Sequence, residues 1–237
     1  MTIDAEMSPK FKARLAGFFY VLMLPIGALQ VAFGRLPASS GAASYAANIL
    51  AHPSAVYAAF ATDLLVIASY IAVTALLYQL FKPVNSALSL TAAFFSLMGC
   101  ATQAGAALFR IAPLTLLTGA ARQDVVTIAY LLSKLYRPAY CIAMVFFGFY
   151  LVLIGCLIFK STFMPRLIGV LVVLAGLGGT TFLWPPLASA LWPTVIMGLL
   201  AAGEGSMMFW LLIAGVNPER WMERAKNSRA CSGNNSV

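Results

Sequence analysis

Long apolar runs separated by short polar connections dominate this chain. The runs cover about residues 15–33, 55–81, 87–112, 139–159, 167–184 and 194–215. Each is close to the roughly 20 apolar residues that an α-helix needs to cross a bilayer. The pattern therefore predicts an all-α fold, an integral membrane bundle of six transmembrane helices.

Polar residues and prolines mark the predicted ends of the helices. Lys82-Pro83-Val84-Asn85 follows the second run, and prolines occur in the connections after the fourth and fifth runs. Proline cannot continue a helix, and asparagine is a common N-cap. The first run follows basic residues but is longer than a signal peptide's apolar region, so we expect an uncleaved anchor. We expect a cytoplasmic tail over 1–13, a membrane domain over 14–221 and a disordered cytoplasmic tail over 222–237.

Two connections are too long to be simple turns. The segment 34–54 has a weak amphipathic pattern, and the segment 113–137 predicts a helix capped by Asp124 that extends to about Tyr136. We expect both to form extracytoplasmic interfacial helices. Pro138 either separates the second of these from the fourth span or kinks one continuous helix, because membrane helices tolerate proline.

Composition and charge agree with a membrane protein. Of the 237 residues, 62% are hydrophobic and 9% are charged, and the mean hydropathy is +0.90. Soluble domains carry about a quarter charged residues. The net charge of +8 comes from scattered Lys and Arg residues rather than a basic stripe, which argues against nucleic-acid binding. A cytoplasmic N-terminus puts ten of them inside and five outside, so we expect both termini in the cytoplasm.

The polar residues inside the spans are the candidates for chemistry. Asp63 lies about eight residues into the second span, and Glu204 lies near the middle of the sixth. Gln103 and Arg110 share a face of the third span. Arg137 begins the fourth and lies in the same half of the membrane as Asp63 and Arg110. We expect a ligand site formed by Asp63, Gln103, Arg110 and Arg137, with Glu204 deeper, because ionisable residues inside membranes commonly mark functional sites.

A structural interpretation of the two carboxylates stays open. Asp63 can pair with Arg110 or Arg137 and lock helices together, and Glu204 can cap backbone groups near Gly203 and Gly205. Gly148 and Gly155 of the fourth span are interpreted as helix-packing positions, and Gly176 of the fifth is interpreted as a helix-packing or kink position. His52 and the four cysteines show no metal-ligand or redox spacing, so we assign no metal, cofactor or catalytic residue.

Several short motifs resemble a known bacterial membrane family. They include Arg14-Leu-Ala-Gly-Phe-Phe-Tyr20, Asn48-Ile-Leu-Ala-His-Pro53, Met164-Pro-Arg-Leu-Ile-Gly169 and Gly215-Val-Asn217. The chain resembles, from about Arg14 to Trp221, the family called domain of unknown function 4386. This resemblance implies a multi-pass protein of a bacterial cytoplasmic membrane and implies no activity.

Three kinds of function fit these observations. We favour the binding or transport of a small ligand or ion through an outward-facing polar pocket. The alternatives are an enzyme embedded in the membrane that acts on a lipid or isoprenoid, and a structural protein that packs against a partner. Catalysis is the less favoured because few catalytic groups are present. Apart from membrane lipids and this ligand, the sequence indicates no partner.

Overall fold

The computed structural model describes residues 8–34, 41–119, 122–192 and 194–233. Within these residues every regular element is helical. The expectations for Arg35, for residues 1–7 and 234–237 of the tails, and for Pro193 lie outside the described residues. The helices are α1 (Pro9–Gly34), α2 (Ala42–Ala51), α3 (Pro53–Phe81), α4 (Ser86–Gly119), α5 (Gln123–Lys160), α6 (Arg166–Thr180), α7 (Pro185–Leu191), α8 (Thr194–Ile213) and α9 (Pro218–Gly233).

Five helices among the described residues are long and apolar enough to cross a membrane. They are α3, α4, α5, α8, and α6 together with the 3₁₀ turn Thr181–Leu183. Large apolar side chains cover their outer surfaces, for example Phe94 (63% exposed), Leu167 (70%) and Ile213 (71%). Water disfavours so much apolar surface, whereas lipid accepts it. The chain is therefore a membrane protein with an all-helical bundle.

Close helix contacts at glycine build the centre of the bundle. α5 packs against α4 on one side and α6 on the other, and α1 packs against α3 and α8. A Cβ atom on Gly148 of α5 would lie 2.9 Å from the carbonyl oxygen of Gly176 in α6. One on Gly155 would lie 2.7 Å from the carbonyl oxygen of Gly169. The packing role expected for these glycines is confirmed, because no larger residue fits without moving backbone.

The bundle has two distinct ends. At the α9 end, Trp221 Nε1 donates a hydrogen bond to the carbonyl of Leu80 at 2.8 Å, and Arg220 donates one to the carbonyl of Thr162 at 3.1 Å. The start of α1 lies there too, since Arg14 donates to the carbonyl of Ile213. The opposite end, here called the α2 end, carries α2, α7 and the connection between α4 and α5. Both described ends of the chain therefore lie at the α9 end.

The long connection before Pro138 differs from expectation. α4 continues through Pro113 to Gly119, and α5 runs without a break from Gln123 through Pro138 to Lys160. The helix expected between Asp124 and Tyr136 is thus the first part of α5, and the continuous alternative for Pro138 is the correct one. Asp124 lies in the first turn and Arg122 is the N-cap. At about 1.5 Å per residue, α5 is about 57 Å long, far more than the hydrocarbon core.

The α2 end has a small apolar core of its own. The helix expected in segment 34–54 is present as α2, and it packs on α4 and α5 rather than lying alone. Ile49 of α2, Leu114 and Leu117 of α4 and Ala129 of α5 are buried together there. The part of the α4–α5 hairpin at the α2 end is therefore a packed structure.

Two further helices were not expected. Pro185 and Pro186 begin α7 because proline suits the first turn of a helix. α9 begins after Gly215, whose φ of 69° ends α8, and Asn217 Oδ1 accepts hydrogen bonds from the backbone N–H groups of Glu219 and Arg220. Residues 222–233, for which we expected disorder, are helical in the structure because this cap precedes a run of good helix formers.

Candidate functional site

Asp63, in α3, pairs with one of the two arginines proposed for it. Arg110 Nε of α4 donates to Asp63 Oδ2 at 2.6 Å, and only 1% of the Asp63 side chain is exposed. Tyr136 of α5 completes the contact: its hydroxyl donates to Asp63 Oδ1 at 3.4 Å and accepts a bond from Arg110 Nη2. The Arg110 guanidinium also lies 4.2 Å from the centre of the Tyr136 ring. We call Asp63, Arg110 and Tyr136 the α3–α5 latch, because they join three helices.

The other three predicted site residues lie together in a cavity. A cavity of about 1440 Å³ extends along α5 and is also lined by residues of α1, α3, α4, α7 and α8. Gln103, Arg137 and Glu204 are in its lining, and Asp63 and Arg110 are not. The predicted site is thus divided into the latch and this space, which we call the α5 cavity. Ordinary ligand pockets have volumes of about 300–1,000 Å³, so the α5 cavity has room for an extended molecule.

Polar groups lie at both ends of the α5 cavity and apolar ones lie between them. Lys134 and Arg137 are exposed at the α2 end, where Pro185 and Trp192 of the α7 region are also exposed. The cavity therefore opens to the surface of the protein at that end. Glu204 lies deeper and is half-buried, and Tyr70 donates a hydrogen bond to Glu204 Oε2 at 3.4 Å.

The surroundings of Glu204 contain phenols rather than a cation. Among the described residues no Lys or Arg lies within ion-pair distance of Glu204. The Tyr70 ring packs against the rings of Tyr20 and Tyr150, with centroids 5.9 and 6.0 Å away. The hydroxyls of Tyr20 and Tyr150 are buried without a hydrogen-bond partner at normal distance. Such groups are costly to leave unpaired, but Tyr20 and Tyr150 lie in the core behind Tyr70 and do not line the cavity.

The face of α3 that carries Asp63 serves several contacts rather than one site. Tyr70 reaches Glu204, whereas Thr74 Oγ1 lies 2.6 Å from Ser96 Oγ of α4 in the buried core. Four relevant residues were missed by sequence reasoning: Lys134, Tyr136, Tyr20 and Tyr150. Tyr136 has the same sequence signature as an aromatic membrane anchor, so no local signal separates the two roles. No three His, Cys, Asp or Glu side chains come together as metal ligands in the described part of the chain.

Comparisons with known proteins give a family but no activity. A protein of Archaeoglobus fulgidus, described as an uncharacterized protein, is similar to this chain: it is 29% identical over 152 residues, which are 64% of this chain and 80% of the relative. No solved structure matches the chain. The family model described as "Domain of unknown function (DUF4386)" matches residues 15–215, which include every candidate site residue. The chain therefore belongs to this family.

Proposed function

We propose that this protein binds a small ligand in the α5 cavity, which is reached from outside the cytoplasmic membrane of a bacterial cell. The observation that carries the proposal is the presence of Gln103, Arg137 and Glu204 in the lining of one large cavity. A cavity with a few polar groups among apolar ones is the usual form of a ligand site. The latch residues Asp63 and Arg110 hold the helices that bound the cavity and do not contact the ligand.

The proposal includes a sixth membrane span and a defined orientation. α1 has 26 residues and packs along α3 and α8, so it is long enough to cross beside them. Basic residues are more numerous near the α9 end than near the α2 end, which favours a cytoplasmic α9 end. Both termini are then cytoplasmic, and α2 and α7 lie at the outer surface.

Binding is favoured over catalysis by the composition of the cavity. Glu204 is the one carboxylate among its described lining residues. General acid and base catalysis on a lipid or isoprenoid needs at least two groups around one substrate atom. Transport of the ligand is compatible with a site that reaches from the surface to Glu204, and a transport assay becomes possible once a ligand is known.

Native cysteines allow a direct test of access to the cavity. Cys141 lines the α5 cavity, and Cys156 lies fifteen residues further along the same helix, outside the lining. Both thiols are half-buried. Variants that retain only Cys141, only Cys156 or only Cys231 would be treated, in intact cells, with a small thiol reagent that cannot cross membranes.

We expect Cys141 to react at least about ten times faster than Cys156, because only Cys141 faces open space. Cys231, near the end of α9, should react only after the cells are made permeable. A Leu200→Trp change, which fills the cavity, should slow the Cys141 reaction, and Leu174→Trp, outside the cavity, should not. Equal rates for Cys141 and Cys156 would contradict an open cavity, and labelling of Cys231 in intact cells would contradict the orientation.

Binding itself is tested by native mass spectrometry of the protein purified in a mild detergent. We expect the wild type to retain a bound molecule that the Leu200→Trp variant loses and the Leu174→Trp variant keeps. If the spectra of the three proteins carry the same bound masses, or none, the proposal of a ligand in the α5 cavity is wrong.

A further inference from the structure

Two cations at the mouth of the α5 cavity have no acidic partner. Lys134 and Arg137 lie one turn apart on α5, both line the cavity, and both are exposed. Among the described residues neither forms an ion pair, in contrast to Arg110 and Arg122, which do. Residues three apart share one face of a helix. The mouth of the cavity therefore presents two neighbouring positive charges.

Aromatic contacts hold Lys134 in place at the mouth. Its ammonium nitrogen lies 4.7 Å from the centre of the Tyr130 ring. That ring in turn meets Tyr45 of α2 edge to face, with centroids 5.6 Å apart. Tyr45 is a neutral phenol and does not compensate the charge of Lys134, and burial raises its pKa further above the ordinary value. The cation is thus positioned but not neutralised.

The wall between the mouth and Glu204 is mostly apolar. Tyr70, which binds Glu204, has its ring centroid 4.6 Å from that of Phe147 on α5. Phe147 is ten residues beyond Arg137, so about 15 Å of helix separates the cations from the level of Glu204. Along this distance the lining includes Met144, Phe146, Phe147 and Leu200. A hydrocarbon chain suits this wall, and the carboxylate lies far from a group bound at the mouth.

We propose that the ligand is an anionic amphiphile, whose phosphate or carboxylate head binds Lys134 and Arg137 and whose hydrocarbon chain lies along α5 toward Phe147. This inference rests on the proposed function, since it names the class of molecule that the α5 cavity binds. Charge complementarity favours an anionic head group, because two unpaired cations attract an anion most strongly at the edge of a low-dielectric region. The hydrocarbon chain of the ligand adds affinity by burying apolar surface.

The test compares three probes that separate head from chain. The thermal unfolding midpoint of the full-length protein in dodecyl maltoside is measured with lysophosphatidic acid, with lysophosphatidylcholine of the same acyl chain, and with glycerol 3-phosphate. A molecule that binds only the folded state raises the midpoint, and the rise grows with the logarithm of the ratio of its concentration to its Kd. We expect lysophosphatidic acid to raise it by about 5 °C and the other two to change it by less than about 1 °C.

Matched variants assign the effect to the mouth of the cavity. The double variant Lys134→Gln/Arg137→Gln should lose most of the shift with lysophosphatidic acid. Arg122→Gln should keep it, because Arg122 lies at the same end of α5 but does not line the cavity. Leu200→Trp should also abolish the shift, since the tryptophan side chain then occupies the space of the ligand's hydrocarbon chain.

Each contrary outcome has a distinct meaning. An equal shift with lysophosphatidylcholine would show that the site does not require an anionic head group. An equal shift with glycerol 3-phosphate would show that it does not require a hydrocarbon chain. Either result overturns the inference. If that shift disappears in Leu200→Trp, the cavity still binds a ligand and the proposed function stands. If Arg122→Gln loses as much of the shift as the double variant, the anion is attracted to the basic surface in general, which overturns the inference. A shift that survives in Leu200→Trp places the amphiphile outside the cavity and overturns it as well.

Discussion

Asp63 and Glu204 are both carboxylates within membrane-spanning helices, but their surroundings differ in charge. Asp63 is buried against Arg110 at 2.6 Å and against Tyr136, so its charge is matched within the latch. Glu204 faces the α5 cavity and receives one hydrogen bond, from Tyr70 at 3.4 Å. The matched carboxylate joins helices, whereas the unmatched one is available to a ligand or a proton. An intramembrane charge therefore indicates function most strongly where its neighbours leave it uncompensated.

The largest expected effect comes from breaking the latch. Arg110→Met leaves the Asp63 carboxylate buried without its cation, which should lower the free energy of unfolding by about 3–5 kcal/mol. Thermal unfolding in detergent measures it. The matched control is Arg137→Met, an exposed cation at the cavity mouth, which should change stability by less than about 0.5 kcal/mol.

A double variant separates an ion pair from a general packing defect. Asp63→Leu combined with Arg110→Met removes both charges at once and should recover most of the stability, because an apolar pair needs no compensation. If Arg137→Met destabilises the protein as much as Arg110→Met does, the distinction between the latch and the cavity mouth is wrong.

The next effect concerns the close contact between α5 and α6. Gly176→Ala places a Cβ atom 2.6 Å from the backbone nitrogen of Val152 in α5, so α5 and α6 must separate. We expect a loss of about 1–3 kcal/mol, as for other overpacked sites. Gly198→Ala is the control: it has no neighbour within 4 Å and should keep or slightly raise stability. Indistinguishable unfolding midpoints for the two variants would contradict the close contact.

A smaller loss of stability is expected when the Tyr136 hydroxyl is removed from the latch. Tyr136→Phe removes the hydroxyl that bridges Arg110 and Asp63 and should cost about 1 kcal/mol. Tyr140→Phe changes the neighbouring ring, which stacks on Tyr136 and lines the cavity, and should cost less. The same unfolding assay compares them. A larger loss of stability for Tyr140→Phe than for Tyr136→Phe would mean that the Tyr136 hydroxyl does not contribute to the latch.

Much of the helical arrangement could be predicted from the sequence because bilayer thickness imposes a length on every span. The glycine contacts were also predictable, since small residues at regular spacing inside apolar runs have few other uses. At Pro138 the sequence left two alternatives open, because proline ends helices in water but is tolerated in membrane helices. The structure selects the continuous helix.

The candidate site was predicted only in part, because the direction of a side chain decides what it joins. Asp63, Arg110 and Arg137 were placed correctly in one half of the bundle. Yet neighbouring residues on a helix point about 100° apart, so Tyr136 joins the latch while Arg137 faces the cavity. The cavity itself depends on α7, whose residues carry no periodic signal over so short a length.

The most direct test of the contrast between the two carboxylates is the unfolding midpoint, in detergent, of the wild type beside Asp63→Asn and Glu204→Gln. Both changes remove a charge at nearly constant volume. We predict that Asp63→Asn lowers the midpoint by several degrees, because Arg110 and Tyr136 lose a charged partner, and that Glu204→Gln leaves it unchanged or raises it. A Glu204→Gln midpoint that falls as far as that of Asp63→Asn would mean that both carboxylates are structural, which contradicts the account.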